Sequence, residues 1–145
     1  MGQQQLLLIV LTVIIVGISI AVGVQIFRGN AVESNRGNLI SYCVSYASRA
    51  QLYFRTSKEF GGGARNFDQF QLSPYDTSNG YGSYSISTTA PSGATPINGS
   101  VNPIAGSSGT IYVVGSGKET GNDGSNPVKA YVRVTSDSLN TIILN

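Results

Sequence analysis

The segment Leu6–Phe27, LLLIVLTVIIVGISIAVGVQIF, decides the architecture of this 145-residue chain. It carries no charged side chain, and all nine basic and seven acidic residues lie from Arg28 onward. A helix of this length extends roughly 33 Å, enough to cross the hydrocarbon core of a bilayer. Gln3–Gln5 precede it without a basic residue, and no A-x-A cleavage pattern follows, so a conventional secretory signal peptide is not predicted.

Small residues recur inside this apolar segment at i, i+4 spacing. Gly17 is followed by Ala21, and Ser19 is followed by Gly23. Such pairs let helices approach closely in an apolar medium. We therefore expect the segment to pack against other helices, through Leu6, Leu7, Val10, Ile14, Gly17, Ala21 and Gly23.

The helical pattern continues beyond the apolar segment. Apolar residues recur at steps of three, four, seven or eight, which is typical of an amphipathic helix; they are Ala31, Val32, Leu39, Ile40, Cys43, Val44, Ala47, Ala50 and Phe54. One helix is predicted from about Gln3 to about Thr56, with a bend or melted turn within residues 28–38, because Gly29, Asn30 and Gly37 weaken it. Gly61–Gly63 is predicted to end it as a flexible joint.

The rest of the chain is rich in glycine, serine, threonine, asparagine and tyrosine. Val128, Ala130, Val132 and Val134 alternate with polar or amphipathic residues, which indicates a half-buried strand. Further strands are predicted at Tyr84–Thr88, Thr110–Val114 and Thr141–Leu144, with turn-rich spacers SGATPINGS, GSGKETGNDGSNP and SDS between the four.

These elements predict an α+β fold, a long N-terminal α-helix packed on a small antiparallel β-sheet of three or four strands. The hydrophobic helix would occupy residues 1–27 and a globular domain residues 28–145. Within that domain, residues 28–56 continue the helix, 57–82 form a glycine-rich joint and loop, and 83–145 form the sheet.

The composition argues against several classes of function. The charge is nearly balanced, so nucleic acid is not expected as the main partner, since phosphate binding needs a concentrated basic surface. Histidine is absent, which removes the commonest general base and metal ligand. The single cysteine, Cys43, lies on the apolar stripe and is predicted to be buried. We therefore expect no enzymatic activity, no catalytic residue, no cofactor and no metal.

Three local motifs and the tyrosines bear on binding or modification. Gly61–Asn66 lacks the spacing of a phosphate-binding loop. Asn122–Asn126 is interpreted as a hairpin turn and not as a calcium loop, because it lacks spaced acidic residues and a closing glutamate. Asn98-Gly99-Ser100 fits an N-glycosylation acceptor. The eight tyrosines favour core and interface packing, with Tyr42, Tyr46 and Tyr53 near one another at helical spacing.

The order of an uncharged span, an amphipathic helix and a small antiparallel sheet resembles a type IV pilin. At the residue level the resemblance covers residues 1–60: the start GQQQLLLIVLTVIIVGISIAVGVQIF, the positions Asn30, Asn35 and Arg36, and Gly61–Gly63 resemble a group of bacterial pilin-like sequences. The resemblance implies a homopolymeric extracellular filament, assembled through the N-terminal helix from a membrane-inserted precursor by an assembly ATPase and a membrane platform. Adhesion, motility and DNA uptake are all compatible with it, since one fold hosts several functions.

The chain departs from the best-known pilins in two respects. Their glutamate at the fifth mature position is replaced by Gln5, or by Leu7 if Met1 and Gly2 are removed. Their cysteine-closed C-terminal loop is impossible with one cysteine. The chain is expected either to be mature as it stands, with Met1 retained, or to lose only Met1 and Gly2.

Two other functions share the same apolar segment. The chain could be a monomeric surface binding module with a permanent membrane anchor, which needs no small-residue pairs. It could also be a minor pseudopilin of a secretion or DNA-uptake machine, which would form a short piston and not abundant fibres.

Overall fold

The computed structural model describes residues 2–106 and 109–145, and its first element is one very long helix. Helix α1 spans Gly2–Arg55 without interruption over 54 residues. The melted turn predicted within residues 28–38 is therefore wrong. Each glycine there costs only about 1 kcal/mol relative to alanine, and a helix with an anchored second half propagates cooperatively through such positions.

The glycine-rich segment after α1 packs against the end of the helix. A short 3-10 turn, Lys58–Phe60, leads to Gly61 in the left-handed conformation. The amides of Gly63 and Arg65 then donate to the carbonyls of Tyr53 and Phe54, at 2.8 Å each. A Cβ atom on Gly62 or Gly63 would overlap neighbouring backbone. These glycines are thus required for close approach, which corrects the prediction of a flexible joint.

Four strands form one antiparallel sheet in the order β1-β2-β3-β4. A second 3-10 turn, Pro74–Asp76, precedes them. Their bounds are β1 Gly82–Ser87, β2 Thr110–Thr120, β3 Pro127–Thr135 and β4 Leu139–Ile143. The α+β fold and the antiparallel meander are confirmed.

Strand β2 is longer than its sequence predicted. It continues through residues 115–120, which were assigned to a spacer because of their glycines. Gly115 and Gly117 lie on the face that α1 covers, where a Cβ atom would collide with the side chains of Cys43 and Asn35 respectively. Glycine here marks close packing of helix on strand and does not mark a turn.

The core lies between α1 and the sheet. The predicted helix stripe is confirmed, since Leu39, Cys43, Ala47 and Ala50 are fully buried. On the sheet they meet the inner face of β2 and β3, formed by Ile111, Val113, Val128, Ala130, Val132 and Val134.

The segments outside helix and sheet complete the core. Phe67, Phe70, Leu72 and Ile104 are buried there. Phe70 and Ile104 are tied by the Ile104 amide, which donates to the Phe70 carbonyl at 3.1 Å. The loop between α1 and β1 therefore acts as a third wall of the core, a role that its composition did not predict.

The outer face of β3 is also more buried than expected. Alternation predicted Lys129 and Tyr131 on a solvent-facing side, yet both are buried and Lys129 is only 2% exposed. Tyr131 packs edge-on against Tyr112 of β2, with ring centroids 5.8 Å apart. Burial lowers the pKa of the Lys129 ammonium below its ordinary value, because the charged form loses hydration.

Candidate assembly surface on the N-terminal helix

The first half of α1 projects from the globular domain with its apolar side chains uncovered. Every large hydrophobic residue from Leu6 to Phe27 is between 48% and 76% exposed. The helix is long and apolar enough to cross a membrane, judged by length and composition. A soluble protein rarely exposes a contiguous apolar surface of this size, so this segment needs lipid or other chains around it.

The two hydroxyl side chains within the segment are hydrogen-bonded inside the helix. The hydroxyls of Thr12 and Ser19 donate to the carbonyls of Leu8 and Ile15, four residues earlier. A hydroxyl bonded in this way does not need water. Residues 6–24 are therefore compatible with an anhydrous surrounding, whereas Gln25 lies near the end of the segment, three residues before the first charged residue, Arg28.

The predicted packing residues fall on two sides of the helix. At 3.6 residues per turn, six of them share one sector of about 100°; they are Leu6, Leu7, Val10, Ile14, Gly17 and Ala21. Gly23 lies nearly opposite that sector, on the same side as Ser19. The two small-residue pairs thus form two separate shallow sites, on opposite faces of one helix.

Gly17 and Gly23 have no role in packing the chain on itself. A Cβ atom at either position would meet nothing within 4 Å. Each glycine costs the isolated helix about 1 kcal/mol relative to alanine. Small residues at such positions leave room for another helix to approach closely.

The junction between the two halves of α1 is fixed by polar contacts to the turn between β2 and β3. Arg36 donates to Glu33 at 2.6 Å and to the Asn122 side chain at 3.1 Å. Asn35 is buried and donates to the Tyr81 carbonyl at 3.0 Å. These contacts set the direction in which Leu6–Phe27 leaves the globular domain.

The sequence Asn122–Asn126 forms a turn whose oxygen atoms are used within the protein. Gly124 adopts a positive φ of 71°, as predicted for the Asp-Gly pair. The Asp123 carboxylate accepts from the amides of Ser125 and Asn126 and from the side chains of Asn126 and Asn145. These hydrogen bonds, led by that of the Asn126 side chain, hold the pKa of Asp123 well below its usual value.

Four tyrosines gather where α1 meets β1. Tyr42 lies 5.7 Å from Tyr81 and 6.3 Å from Tyr46, and Tyr46 lies edge-on to Tyr84 at 5.1 Å, between ring centroids. Burial raises the pKa of the Tyr84 phenol, whose hydroxyl donates to Asn79 at 3.3 Å. The expected contact of Tyr42 with Tyr46 is confirmed.

The third helical tyrosine belongs to a different contact. Tyr53 packs on Phe70, with ring centroids 5.3 Å apart, and its hydroxyl donates to the Asp68 carbonyl at 2.8 Å. It therefore joins the helix to the loop wall, and the prediction that it pairs with the other helical tyrosines is not supported by these contacts.

The structure also gives the environments of Cys43 and Asn98. Cys43 is buried, and burial raises the pKa of its thiol to about 12, so it is a packing residue. Asn98 is exposed in the segment between β1 and β2, where the next residue, Gly99, touches Thr77. Among residues 2–106 and 109–145, no group of three or more His, Cys, Asp or Glu side chains could hold a metal ion.

Comparison of the chain with family models, curated proteins and solved structures gave no match.

Proposed function

We propose that this protein is the structural subunit of a pilin-like extracellular filament, polymerised through Leu6–Phe27. The observation that carries the proposal is the pair of small-residue sites on opposite faces of α1, neither of which touches the rest of the chain. A helix inside a polymer has neighbours on more than one side. A lone membrane anchor has no use for such sites, and a simple two-helix contact uses one.

Lipid and a bundle of helices both remove the apolar side chains of this helix from water. Burying one Leu, Ile or Val side chain away from water is worth about 1.5 to 3 kcal/mol, but lipid and a helix bundle provide nearly the same gain. The step from membrane to filament must therefore be favoured by close van der Waals packing. Positions Gly17, Ala21, Ser19 and Gly23 supply that packing in this proposal.

Head-to-tail contact between identical helices produces an open polymer when the rotation between neighbours does not close a ring. In such a polymer the apolar halves form a central bundle and the globular domains form the surface. The subunit would be membrane-inserted before assembly, and extraction would require an assembly ATPase and a membrane platform, as the resemblance to type IV pilins implies. Registration between neighbours cannot use an acidic side chain, since residues 2–27 carry none.

The decisive experiment shears cells mechanically and images the released material by electron microscopy, with the subunit identified by mass spectrometry. We expect filaments containing this chain, with Leu6–Phe27 inside. Retention of all the protein in the membrane fraction would contradict the proposal and favour a permanently anchored monomer. Very low abundance with no released fibres would favour a pseudopilin.

A further inference from the structure

The two edge strands of the sheet, β1 and β4, differ in whether their outward backbone groups are hydrogen-bonded. The outward edge of β1 is occupied, because the Tyr84 amide donates to the Thr77 carbonyl at 2.8 Å and the Tyr84 carbonyl accepts from Ser100 at 3.3 Å. An isolated bridge between Ser78 and Ser83 continues this cover. No further strand can add to this half of β1.

The edge of β4 is open. Leu144 donates to the Lys129 carbonyl at 2.8 Å, so the even-numbered residues of β4 direct their backbone groups toward β3. Leu139, Thr141 and Ile143 direct theirs away from the sheet. Within residues 2–106 and 109–145, none of those outward groups takes part in a hydrogen bond.

Strand β4 also lacks the features that usually protect an edge. Protected edges carry lysine, proline, a bulge or an inward-pointing charge. The stretch from Leu139 to Asn145 has no charged residue and no proline, and the register of β3 with β4 is regular. Ile143 lies on the helix-facing side of the sheet and is 51% exposed.

The geometry points to self-pairing of β4: the free edge binds the β4 strand of a second copy of this chain, antiparallel and centred on Thr141. In that register Thr141 faces its own copy, and Leu139 faces Ile143 of the other chain. No charged side chain opposes another, and the exposed part of Ile143 is buried beside Leu139. The pair gains about six backbone hydrogen bonds, and two four-stranded sheets become one of eight strands.

A second copy fits this edge better than a head-to-tail neighbour. Head-to-tail extension would join β4 of one chain to β1 of the next, and β1 is already covered by residues 77–79 and 100. A two-fold contact uses the same patch on both chains and closes on itself. The free edge is therefore satisfied by one partner and does not grow into an extended sheet.

The two-fold pairing fixes the relative direction of the two helices. The symmetry axis of two antiparallel strands in one sheet is normal to that sheet. Helix α1 packs along the sheet face, chiefly on β2 and β3, so this rotation reverses its direction. The two apolar segments then point in opposite directions, which excludes the contact between identically oriented subunits in one membrane or one polar filament. Given the proposed function, β4 pairing joins two filaments side by side and antiparallel.

The first test uses the full chain in excess detergent micelles and a short bifunctional thiol reagent. Thr141→Cys places two thiols on directly opposite residues, whose Cβ atoms are about 4.5–5.5 Å apart. Thr88→Cys, an exposed threonine just beyond β1, is the matched control. Cys43 is fully buried and does not react. We expect about tenfold more cross-linked dimer from Thr141→Cys, a ratio that corresponds to about 1.4 kcal/mol; equal yields would overturn the pairing.

The second test compares dimer formation by sedimentation velocity. Thr141→Lys places two like charges directly opposite each other and should remove the dimer. Asn140→Glu adds a charge to the same strand, opposite Arg133 of its own β3 and Ile142 of the other chain, and should keep the dimer. Equal dimerisation of these two variants would show that another surface, such as the apolar helix, joins the chains.

Electron microscopy separates this inference from the proposed function. We expect paired wild-type filaments and single Thr141→Lys filaments. Single filaments in both, with no dimer in detergent, would overturn the pairing and leave the filament proposal intact. A β4 dimer in detergent without any filaments would overturn the filament proposal and leave the β4 pairing intact.

Discussion

Gly115 of β2 lies directly beneath Cys43 of α1. The Sγ atom of Cys43 is 2.7 Å from the position that a Cβ atom on Gly115 would take, and the side chain of Leu39 lies 3.1 Å from it. The separation of helix and sheet at this point is thus set by a residue without a side chain. Gly80 also lacks a side chain, but this does not set any packing distance, because nothing lies within 4 Å of the position that its Cβ atom would take.

We expect Gly115→Ala to destabilise the globular domain by about 1–3 kcal/mol, since extra volume in a packed core forces neighbours apart. Gly80→Ala is the control and should unfold at nearly the wild-type denaturant concentration. Adding Cys43→Ala to Gly115→Ala should recover part of the loss, because it removes the nearest clashing atom. Urea unfolding followed by circular dichroism measures all three, and an equal loss at Gly80 would refute the explanation.

Asp123 makes the stability of the turn between β2 and β3 sensitive to acid. Its folded-state pKa lies below the ordinary value of 3.8. The stabilisation is therefore present above pH 3.8 and is lost as the pH falls below it toward the folded-state pKa. We expect Asp123→Ala to lower the unfolding temperature at neutral pH, with the difference from wild type shrinking in acid. A difference that stays constant down to pH 2 would contradict this origin.

The charged form of Lys129 opposes folding, whereas the charged form of Asp123 stabilises the folded chain. Its folded-state pKa lies below the ordinary 10.5, so the charged form opposes folding below the folded-state pKa, and this opposition fades as the pH rises toward 10.5. Lys129→Met should raise the unfolding temperature at pH 7, because it keeps the length of the side chain and removes the buried charge. The gain should shrink at alkaline pH. A variant less stable than wild type at pH 7 would show that the ammonium has a favourable partner.

At the scale of elements, α1 performs two different tasks along one continuous helix. From Asn35 onward it packs its apolar stripe on the sheet, and before Arg28 it offers apolar residues on every side. The glycines of the sheet and those of the apolar half of α1 differ in their contacts within the chain. Those in the sheet are required by the fold, whereas Gly17 and Gly23 are free of intrachain contact.

We expect Gly17→Leu and Ala21→Leu to lower filament yield and leave the globular domain folded. Leucine forms helix better than glycine and only slightly less well than alanine, so a weaker helix does not explain a loss. The loss comes from blocked close approach. Val22→Leu, between the two faces that carry the small-residue pairs, is the control. Filament mass after shearing and circular dichroism of the detergent-solubilised chain are the two measurements. Wild-type yields from both leucine variants would refute the role of these sites.

At the scale of the whole molecule, the stable core and the assembly surface occupy separate parts of the chain. The buried residues run from Asn35 to Asn145, and residues 2–30 are all exposed. The apolar segment therefore adds little to the folding of the globular domain.

We expect residues 28–145 alone to be soluble, to retain the four-stranded sheet and to be no larger than the edge-paired dimer. Sedimentation velocity gives the size, and amide hydrogen exchange identifies the protected strands. Exchange as fast as in an unfolded chain would show that Leu6–Phe27 stabilises the fold after all.

Local sequence pattern was sufficient to predict the long helix, its apolar first half, the stripe from Leu39 to Ala50 and an antiparallel sheet of three or four strands. These features depend on local periodicity and on side-chain polarity, which are fully present in the chain. The small-residue pairs were also visible there, and their opposite orientation follows from 3.6 residues per turn within residues 17–23.

Features that depend on contacts between distant segments could be seen only in the folded chain. The roles of Gly115 and Gly117, the loop wall of Phe67, Phe70 and Leu72, the burial of Lys129 and the open edge of β4 all depend on which segments meet in space. Glycine predicts a turn when its neighbours are unknown, and it becomes a packing residue when side chains of a helix occupy the space that its Cβ atom would need. Contacts between residues far apart in the chain are not encoded in any local window, so pattern alone could not supply them.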